Sequence, residues 1–477
     1  MTGTRRRGLR ADVATAAALA VLVAAAVHPG AVPTRAQDPR PNIVVILTDD
    51  QSLETLPHMQ PPAMPWLQSQ INDPAGHWQW FPNAVFNTPL CCPSRATILT
   101  GQYSHHTGVV NNDTGYRLND GQTLPVWLHG AGYTTGLIGK YLNLYPFGRL
   151  PYVPPGWDRW FAKLNESGAT TYYDYSVIDQ TTPLHFGSAP DQYATTELAS
   201  QAVRFIQAAP AARPFFLYLT PPAPHRPWVA APGDRGAFAD LPLKAPAADT
   251  APVTGKPAWV QALPALDPAA VAARQNDRRA QYASLLEVDR SVHAIVDALA
   301  QRGQLQNTYI FFLTDNGFSF GEHRIVGKRC PYDECIRTPF AVFSPTQPTG
   351  TDPLLVSNVD LAPTIAQLAG VTPGASIDGS SFASALTGPP GSVGTPTSQA
   401  KLIEWAGDAE ISPWWGVRTP DFAYIESADG TVELYDLSGR RGHADPGELH
   451  NVADAPRYAA VVARLAAELR TLRGPAA

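Results

Sequence analysis

The chain is poor in cysteine and in charged residues. Its 477 residues include four cysteines, and charged residues make up 16% of the chain against 44% for hydrophobic residues. A small disulfide-stapled scaffold is excluded, because such domains place many cysteines in a short chain. The length and the apolar content instead predict one large globular domain with a smaller one beside it.

Positive charge is also scarce. Lysine and arginine total 35 against 41 aspartate and glutamate residues, which gives a formal net charge of −6. Residues 1–36 carry five arginines and one aspartate, so the chain without them has a net charge of −10. General nucleic-acid binding needs a cationic surface, and no nucleic-acid partner is expected. A local cationic pocket is compatible with this balance.

The N-terminal apolar run is too short for an ordinary membrane span. Val13 to Val27 consists of Ala, Val and Leu apart from Thr15, whereas a spanning helix needs about 20 residues. Arg5-Arg6-Arg7 precede the run and small residues follow it up to Ala36, a pattern that predicts a secretory leader over 1–36. We expect a bacterial protein exported to the periplasm, cell envelope or exterior, with no stable membrane span once the leader is removed. Sec and twin-arginine export both stay open, and an uncleaved anchor is a minor alternative.

Four apolar runs lead into polar, chemically reactive residues. The runs are typical of strands buried on both faces of a parallel sheet, and they cover Asn42 to Leu47, Thr134 to Ile138, Phe215 to Leu219 and Tyr309 to Leu313. They are followed by Asp49-Asp50, Lys140, His225 and Asp315-Asn316. Ligands bind at the carboxyl ends of such strands, so we expect these side chains at one edge of the sheet.

Helical patterns alternate with these runs, at Asp191 to Ala208 and at Asp277 to Arg302. This alternation predicts an α/β fold, with a large mixed, mostly parallel sheet sandwiched by helices. Pro373 to Gln399 is rich in Gly, Pro, Ser and Thr and indicates a connector. Four short strand-like runs and a helix over Tyr458 to Leu472 follow it. We therefore predict a catalytic domain over 37–395 and an α+β subdomain over 396–477, with a small antiparallel sheet and a terminal helix.

The most specific motif is Cys91-Cys92-Pro93-Ser94-Arg95 with Thr100-Gly101 behind it. Proline is favoured at the first helical position and glycine just past a helix end, so the motif predicts a helix over Pro93 to Thr100 with Cys91 just ahead of it. The free N–H groups at a helix start favour an anion, and Arg95 in the first turn offers a planar fork of donors to the same anion.

The pattern Cys-x-Pro-Ser-Arg-x-x-x-x-Thr-Gly resembles that of the sulfatase family, which belongs to the alkaline phosphatase superfamily. The resemblance implies that Cys91 is oxidised to formylglycine by a separate formylglycine-generating enzyme. It also implies that Asp49, Asp50, Cys91, Asp315 and Asn316 bind a metal ion. Hard oxygen donors of this kind suit Ca²⁺, with Mg²⁺ as the alternative.

The resemblance also assigns roles to the cationic residues Arg95, Lys140, His225 and Lys328. Fixed cations stabilise the negative charge of a sulfate ester and of its leaving oxygen. The implied reaction begins with attack of a hydrated formylglycine hydroxyl on sulfur, while His225 or Lys328 protonates the leaving alcohol. The covalent sulfate on residue 91 is then expelled by the second hydroxyl, which restores the aldehyde.

Within the family, the stretches LCCPSR, GKYLN, VPPGW and APHRPW are most similar to the N-acetylglucosamine-6-sulfatase and heparan 6-O-endosulfatase group. Leu142 stands where many sulfatases carry a histidine, and Gly321-Glu322-His323 is shared with sulfatases outside this group. The expected substrate is a sulfated sugar, small or part of a glycan, or an aryl sulfate. Exo or endo action stays open.

Three alternatives remain beside a sulfate monoester hydrolase. A phosphonate monoester or phosphodiester hydrolase of the same superfamily is the nearest, since both ester classes present similar tetrahedral oxygens. A non-catalytic protein that binds sulfated glycans is more remote, and a thiol-redox protein lacks a Cys-x-x-Cys motif. Cys330 and Cys335 are close enough in sequence to pair after export, and their redox state and the oligomeric state stay open.

Overall fold

The computed structural model describes residues 38–165, 170–242, 253–389 and 400–474. The predicted leader over 1–36 and the predicted domain boundary at 395/396 lie outside these residues. Within them, the chain forms a large sheet covered by helices, followed by a small sheet with one long helix. This arrangement confirms the predicted fold class.

The large sheet contains ten strands. In chain order they are β1 (Asn42–Thr48), β2 (Trp78–Trp80), β3 (Thr134–Lys140), β4 (Arg159–Lys163), β5 (Tyr175–Asp179), β6 (Thr182–Phe186), β7 (Phe215–Thr220) and β8 (Thr308–Thr314), and then β11 (Phe340–Phe343) and β12 (Gly350–Thr351). A two-stranded ribbon, β9 (Ser319–Phe320) and β10 (Val326–Gly327), lies between β8 and β11 in the chain. The spatial order is β12-β2-β11-β8-β1-β7-β3-β4-β5-β6. The five central strands, β8 to β4, are parallel.

Helices cover both faces of this sheet. The helices that precede the small sheet in the chain are α1 (Pro65–Asn72), α2 (Cys91–Thr100), α3 (Ser104–Thr107), α4 (Leu124–Gly130), α5 (Ala194–Ala208), α6 (Ala258–Gln261), α7 (Pro268–Gln301), α8 (Asp333–Ile336), α9 (Leu361–Leu368) and α10 (Ala383–Thr387). Of these, α6 and α8 pack toward the small sheet. Alternate residues of β1 face opposite cores: Val44 and Ile46 pack with α5 and α7, whereas Ile43 and Val45 pack with α2, α4 and α9. A continuous apolar run is therefore needed in the central strands.

The C-terminal subdomain is an antiparallel sheet with a helix packed on it. Its strands follow one another in space as in the chain: β13 (Lys401–Trp405), β14 (Trp414–Arg418), β15 (Phe422–Ser427) and β16 (Val432–Asp436). Helix α11 (Ala459–Arg473) buries Val461, Leu465 and Leu469 against them. The spacing of these three residues places them on one helix face.

Two predicted segments need correction. Helix α7 begins at Pro268, nine residues earlier than predicted, because Asp267 caps it by accepting a hydrogen bond from the Ala270 N–H. None of the residues 268–280 is buried, so the first turns of α7 carry no apolar periodicity. The predicted connector contains α10, whose Leu386 is buried in the core.

No helix in the described ranges is both long enough and apolar enough to cross a membrane.

Candidate active site

Four neighbouring parallel strands end at the same edge of the large sheet, in the order β8, β1, β7, β3. The residues that follow or end them are Asp315 and Asn316, Asp49 and Asp50, His225, and Lys140. Helix α2 brings Cys91 and Arg95 to this edge, and the segment after β10 brings Lys328. The structure thus places every residue of the predicted site in one cluster.

Cys91 lies at the centre of this cluster. It is the first residue of α2, so the helix starts two residues earlier than predicted and Cys91 belongs to its first turn. Its Sγ lies 3.3 Å from Asp49 Oδ1, 3.7 Å from Asp50 Oδ1 and 2.7 Å from Lys328 Nζ. Gly101 ends the helix with φ 71°, as predicted. Cys92 is a free thiol buried in the core on the far side.

Asp50 is the most constrained residue of the acidic group. Its φ is 63°, and its N–H donates to Asp315 Oδ1 at 3.1 Å. Asn316 Nδ2 donates to Asp50 Oδ1 at 2.7 Å, and Gln281 Nε2 donates to the Asp50 carbonyl oxygen at 2.9 Å. These bonds hold a backbone conformation that costs free energy for a non-glycine residue.

The donor set fits a hard divalent cation. Asp50 Oδ2 and Asn316 Oδ1 are buried and accept no hydrogen bond in the described structure, although buried polar atoms are normally satisfied. Asp49 and Asp315 add carboxylate oxygens beside them. Carboxylate and amide oxygens are the ligands that Ca²⁺ prefers, with Mg²⁺ next. One ligand atom each from Asp49, Asp50, Cys91 and His225 also lie within 4.8 Å of one another.

The cationic side chains form a deep pair and an outer pair. Arg95 and Lys140 are buried: Arg95 Nε donates to Asp315 Oδ2 at 2.8 Å, and Lys140 Nζ donates to Asp49 Oδ2 at 2.5 Å. Arg95 therefore holds carboxylates directly and does not lie open to the cleft. Lys328 and His225 are 13% and 16% exposed and contact Asp50 at 2.7 and 3.4 Å. The outer pair therefore lies on the solvent-accessible side of the cluster.

The buried charges shift the pKa values in opposite directions. Burial raises the pKa of Asp49, but Lys140, His225 and Arg95 outweigh it and hold that pKa well below its usual range. Burial and the neighbouring Asp49 raise the pKa of Asp315 to about 6. Burial also raises the pKa of the Cys91 thiol, and Asp315 and Asp49 add to this effect. An unmodified thiol in this place is protonated and a weak nucleophile.

The outer pair is affected differently. Burial lowers the pKa of His225 and outweighs the opposing effect of Asp50 and Asp49, so the imidazole favours its neutral form. For Lys328, burial lowers the pKa, but Asp50 and Cys91 outweigh it and raise the pKa overall. Lys328 therefore stays protonated more firmly, whereas His225 gains and loses a proton more readily.

Two supporting residues are absent from the sequence predictions. Gln281 is a buried polar residue on the apolar face of α7. A polar residue at an apolar position of the helix was the sequence feature that could have indicated its contact with Asp50. Asn112 accepts a hydrogen bond from the Cys92 N–H at 3.0 Å through its Oδ1 and so fixes the start of α2. Nothing in the sequence around Asn112 indicates this contact.

A cavity of about 480 Å³ opens beside Lys328. Polar and charged side chains dominate its wall, among them Asn111, Asn112, Asp113, Arg226 and Arg329, with Trp405 as an aromatic surface. Asp408 and Glu410 also line it and pair with Arg329, so the wall suits a hydroxyl-rich ligand better than an apolar one.

Comparison with known proteins agrees with this geometry. The Sulfatase family model matches residues 41–371, and the model of the N-sulphoglucosamine sulphohydrolase C-terminal region matches 321–474. The chain is 35% identical over 466 residues to the N-acetylglucosamine-6-sulfatase of Capra hircus, covering 87% of this chain and 80% of that protein.

Two solved structures are similar to the fold. A protein in complex with its substrate D-glucosamine-2-N,6-O-disulfate has a TM-score of 0.77 and 25% identity, with 91% of this chain and 97% of the other covered. The phosphonate monoester hydrolase of Agrobacterium radiobacter has a TM-score of 0.69 and 22% identity, with 91% and 95% covered, and shows the fold alone.

The sheet edge, the buried acidic group and the surrounding cations define a hydrolase of anionic esters. The chain belongs to the sulfatase family and is a sulfuric ester hydrolase.

Proposed function

We propose that this enzyme hydrolyses a sulfate monoester of an amino sugar, with formylglycine made from Cys91 as the nucleophile. The observation that carries the proposal is the position of Cys91. Its side chain lies between Asp49, Asp50 and Lys328 at the start of α2. A protonated thiol in this position would be a weak nucleophile. A separate formylglycine-generating enzyme would act on the chain before it folds, because residue 91 is fully buried.

The charge balance supports binding of a sulfate group. Asp49, Asp50 and Asp315 are matched by Arg95, Lys140 and Lys328 in direct contacts. A divalent cation held by Asp49, Asp50, Asp315, Asn316 and residue 91 would add two positive charges and polarise a sulfate oxygen. The occupied site would then attract an anionic ester.

The two pairs of cations have different tasks in this proposal. Arg95 and Lys140 orient Asp315 and Asp49, and the N-terminal N–H groups of α2 face the nucleophile side. Lys328 and His225, at the outer side, lie where the leaving alcohol departs. One of them donates the proton that this oxygen requires.

The sugar assignment rests on the relatives and on the cavity. The Capra hircus relative is named for N-acetylglucosamine 6-sulfate, and the similar solved structure holds a 6-O-sulfated glucosamine. The polar cavity beside Lys328 has room for such a sugar.

The decisive experiment measures the mass of the peptide that contains residue 91, together with turnover of glucosamine 6-sulfate. We expect a mass loss of about 18 Da at residue 91, since conversion of a thiol to an aldehyde loses H₂S and gains oxygen. Cys91→Ala should abolish turnover and keep the fold. Cys92→Ala is the matched control and should keep the modification and turnover. An unmodified Cys91 in active enzyme from the native host would contradict the mechanism.

A phosphonate monoester hydrolase is the second candidate, because the solved structure of such an enzyme shares the fold. Rates on matched aryl sulfate and aryl phosphonate esters separate the two. A large preference for the phosphonate would replace our assignment. Binding of sulfated glycan without turnover of any ester by modified enzyme would instead support the non-catalytic alternative.

We also propose that the enzyme is exported after removal of residues 1–36. The support within the described residues is the disulfide between Cys330 and Cys335, because disulfides persist in oxidising compartments. N-terminal sequencing of secreted enzyme should find a start near residue 37. Retention of the full chain in the cytoplasm would contradict this proposal.

A further inference from the structure

A second cluster of metal-ligating side chains lies outside the active site. One ligand atom each from His323, Glu334 and Glu448 lie within 4.8 Å of one another. His323 belongs to the Gly321-Glu322-His323 segment, Glu334 to α8, and Glu448 to the loop after β16. The proposed reaction uses none of the three.

Unsatisfied atoms point into this cluster. The His323 side chain is 1% exposed, and neither of its ring nitrogens has a hydrogen-bond partner among the described residues. Glu448 is fully buried, and its Oε1 is unpartnered, as is Glu334 Oε2. His323 Nε2 lies 3.6 Å from Glu334 Oε2, which is too far for a hydrogen bond. Buried polar groups without partners call for a ligand to satisfy them.

Two neighbouring carboxylates are already neutralised. Asp333 pairs with Arg418 at 3.1 Å and with Arg337 at 3.3 Å. Glu433 has Lys256 Nζ at 3.8 Å. These cations are therefore committed to other carboxylates.

Glu334 and Glu448 have no such match: no lysine or arginine in the described ranges lies within ion-pair distance of either carboxylate. The Lys256 ammonium contacts other groups than these carboxylates. It donates to Tyr435 Oη at 2.9 Å and to the backbone carbonyl oxygen of Glu448 at 3.0 Å. It also lies 3.9 Å from the centre of the Tyr332 ring. The buried carboxylate of Glu448 and the partly buried carboxylate of Glu334 thus remain without a cation.

We propose that His323, Glu334 and Glu448 bind one Zn²⁺ ion. One imidazole nitrogen and two carboxylate oxygens form a donor set that zinc accepts, whereas calcium and magnesium prefer oxygen ligands alone. Two carboxylates balance the charge of one divalent ion. Glu334 is 26% exposed, so water can reach the fourth position.

The ion would join the two parts of the enzyme near the active site. His323 and Glu334 come from the segment after β8, and Glu448 comes from the C-terminal subdomain. The backbone oxygen of Glu334 packs so tightly on Gly317 that a Cβ there would lie 2.1 Å from it. Gly317 follows Asn316, so a cation at Glu334 would steady the loop that carries an active-site residue.

The test is the zinc content of the purified full chain, measured by plasma mass spectrometry after dialysis against a calcium-selective chelator. We expect about one zinc per chain. Glu448→Gln keeps an oxygen for the Asp333 N–H, which Glu448 Oε2 accepts at 2.7 Å, and His323→Asn suits the local φ of 57°. Each should reduce the zinc content at least tenfold. His293→Asn, at an exposed histidine, and Cys91→Ala should both retain the metal.

A second measurement does not depend on the variants. Zinc-free wild-type chain should gain at least roughly 3 °C in melting temperature when micromolar zinc is added, because an ion that binds the folded state stabilises it. Calcium should not reproduce this gain after the active site is saturated. A wild-type chain that neither retains zinc nor melts higher with it would overturn the proposal, as would equal zinc in wild type and both variants.

Discussion

Arg95 and Asp315 form a fully buried ion pair that joins α2 to the end of β8, with Arg95 Nε 2.8 Å from Asp315 Oδ2. The same guanidinium lies 3.4 Å from Asp49 and donates to the Lys140 carbonyl oxygen at 3.1 Å. Arg95 therefore connects three of the strand ends that build the site. Its effect on catalysis and its effect on stability should be inseparable.

The first prediction follows from this pairing. Arg95→Ala leaves Asp315 and Asp49 buried with one cation fewer, and breaking such a pair costs about 3–5 kcal/mol of unfolding free energy. Denaturant unfolding should show this loss, together with a fall in turnover of at least 100-fold. Arg290→Ala, at an ion pair whose arginine is 51% exposed, is the control and should cost less than about 1 kcal/mol. Equal losses for the two variants would contradict the prediction.

The second prediction concerns the glycine before Lys140. A Cβ on Gly139 would lie 2.1 Å from the Thr220 carbonyl oxygen, and its φ is 119°. Gly139→Ala should therefore cost about 2–4 kcal/mol from overpacking and backbone strain and displace Lys140 from Asp49. Gly130→Ala is the matched control, because nothing lies within 4 Å of a Cβ there; its stability should be unchanged or slightly higher. A Gly139→Ala chain as stable and active as wild type would refute this account.

Strand ends were the part of the site that the sequence predicted best. A buried parallel strand must be apolar throughout, so the change to Asp49, Asp315 or Lys140 marks the edge of the sheet directly. Because parallel strands share one carboxyl edge, the convergence of these residues follows from the fold class. The structure places all of them as this argument requires.

Partners held by long-range packing were not predictable in the same way. Gln281 reaches Asp50 because α7 packs on the sheet face that carries Val44 and Ile46 of β1. Glu448 reaches Asp333 because the C-terminal sheet packs against α8. The first turns of α7 contain no buried residue and carry no apolar period, so the sequence predicts the start of this helix too late. In each case the local sequence lacks the contact that decides the structure.

The third prediction concerns the proposed cation at the active site. Calorimetric titration of chelator-treated enzyme should detect one Ca²⁺ per chain. Asn316→Ala removes a buried amide oxygen that is otherwise unpartnered and should weaken binding about 10–100-fold, as loss of a metal contact commonly does. His293→Asn, at an exposed histidine of α7, is the control and should bind calcium as wild type does. Unchanged calcium affinity in Asn316→Ala would remove Asn316 from the ligand set.

The fourth prediction concerns pH, through the contact between His105 in α3 and Glu404 in β13. His105 Nδ1 lies 2.8 Å from Glu404 Oε2. Burial lowers the pKa of His105, but the hydrogen bond and charge of Glu404 outweigh it and raise this pKa above 6.5. Burial raises the pKa of Glu404, but His105 and Ser104 outweigh it and lower this pKa below 4.5. Each group thus favours its charged form in the folded state.

The sign of the pH effect follows from linkage. The contribution of His105 is complete below pH 6.5 and is lost as pH rises through its raised pKa, whereas that of Glu404 is lost only as pH falls below 4.5. The pair therefore stabilises the fold most between about pH 4.5 and 6.5. Glu404→Gln should lower the melting temperature more at pH 5.5 than at pH 8.5, and His185→Gln, at an exposed pair with Asp174, should show no such difference. The same Glu404→Gln deficit at both pH values would mean that this contact stabilises the fold without its charge.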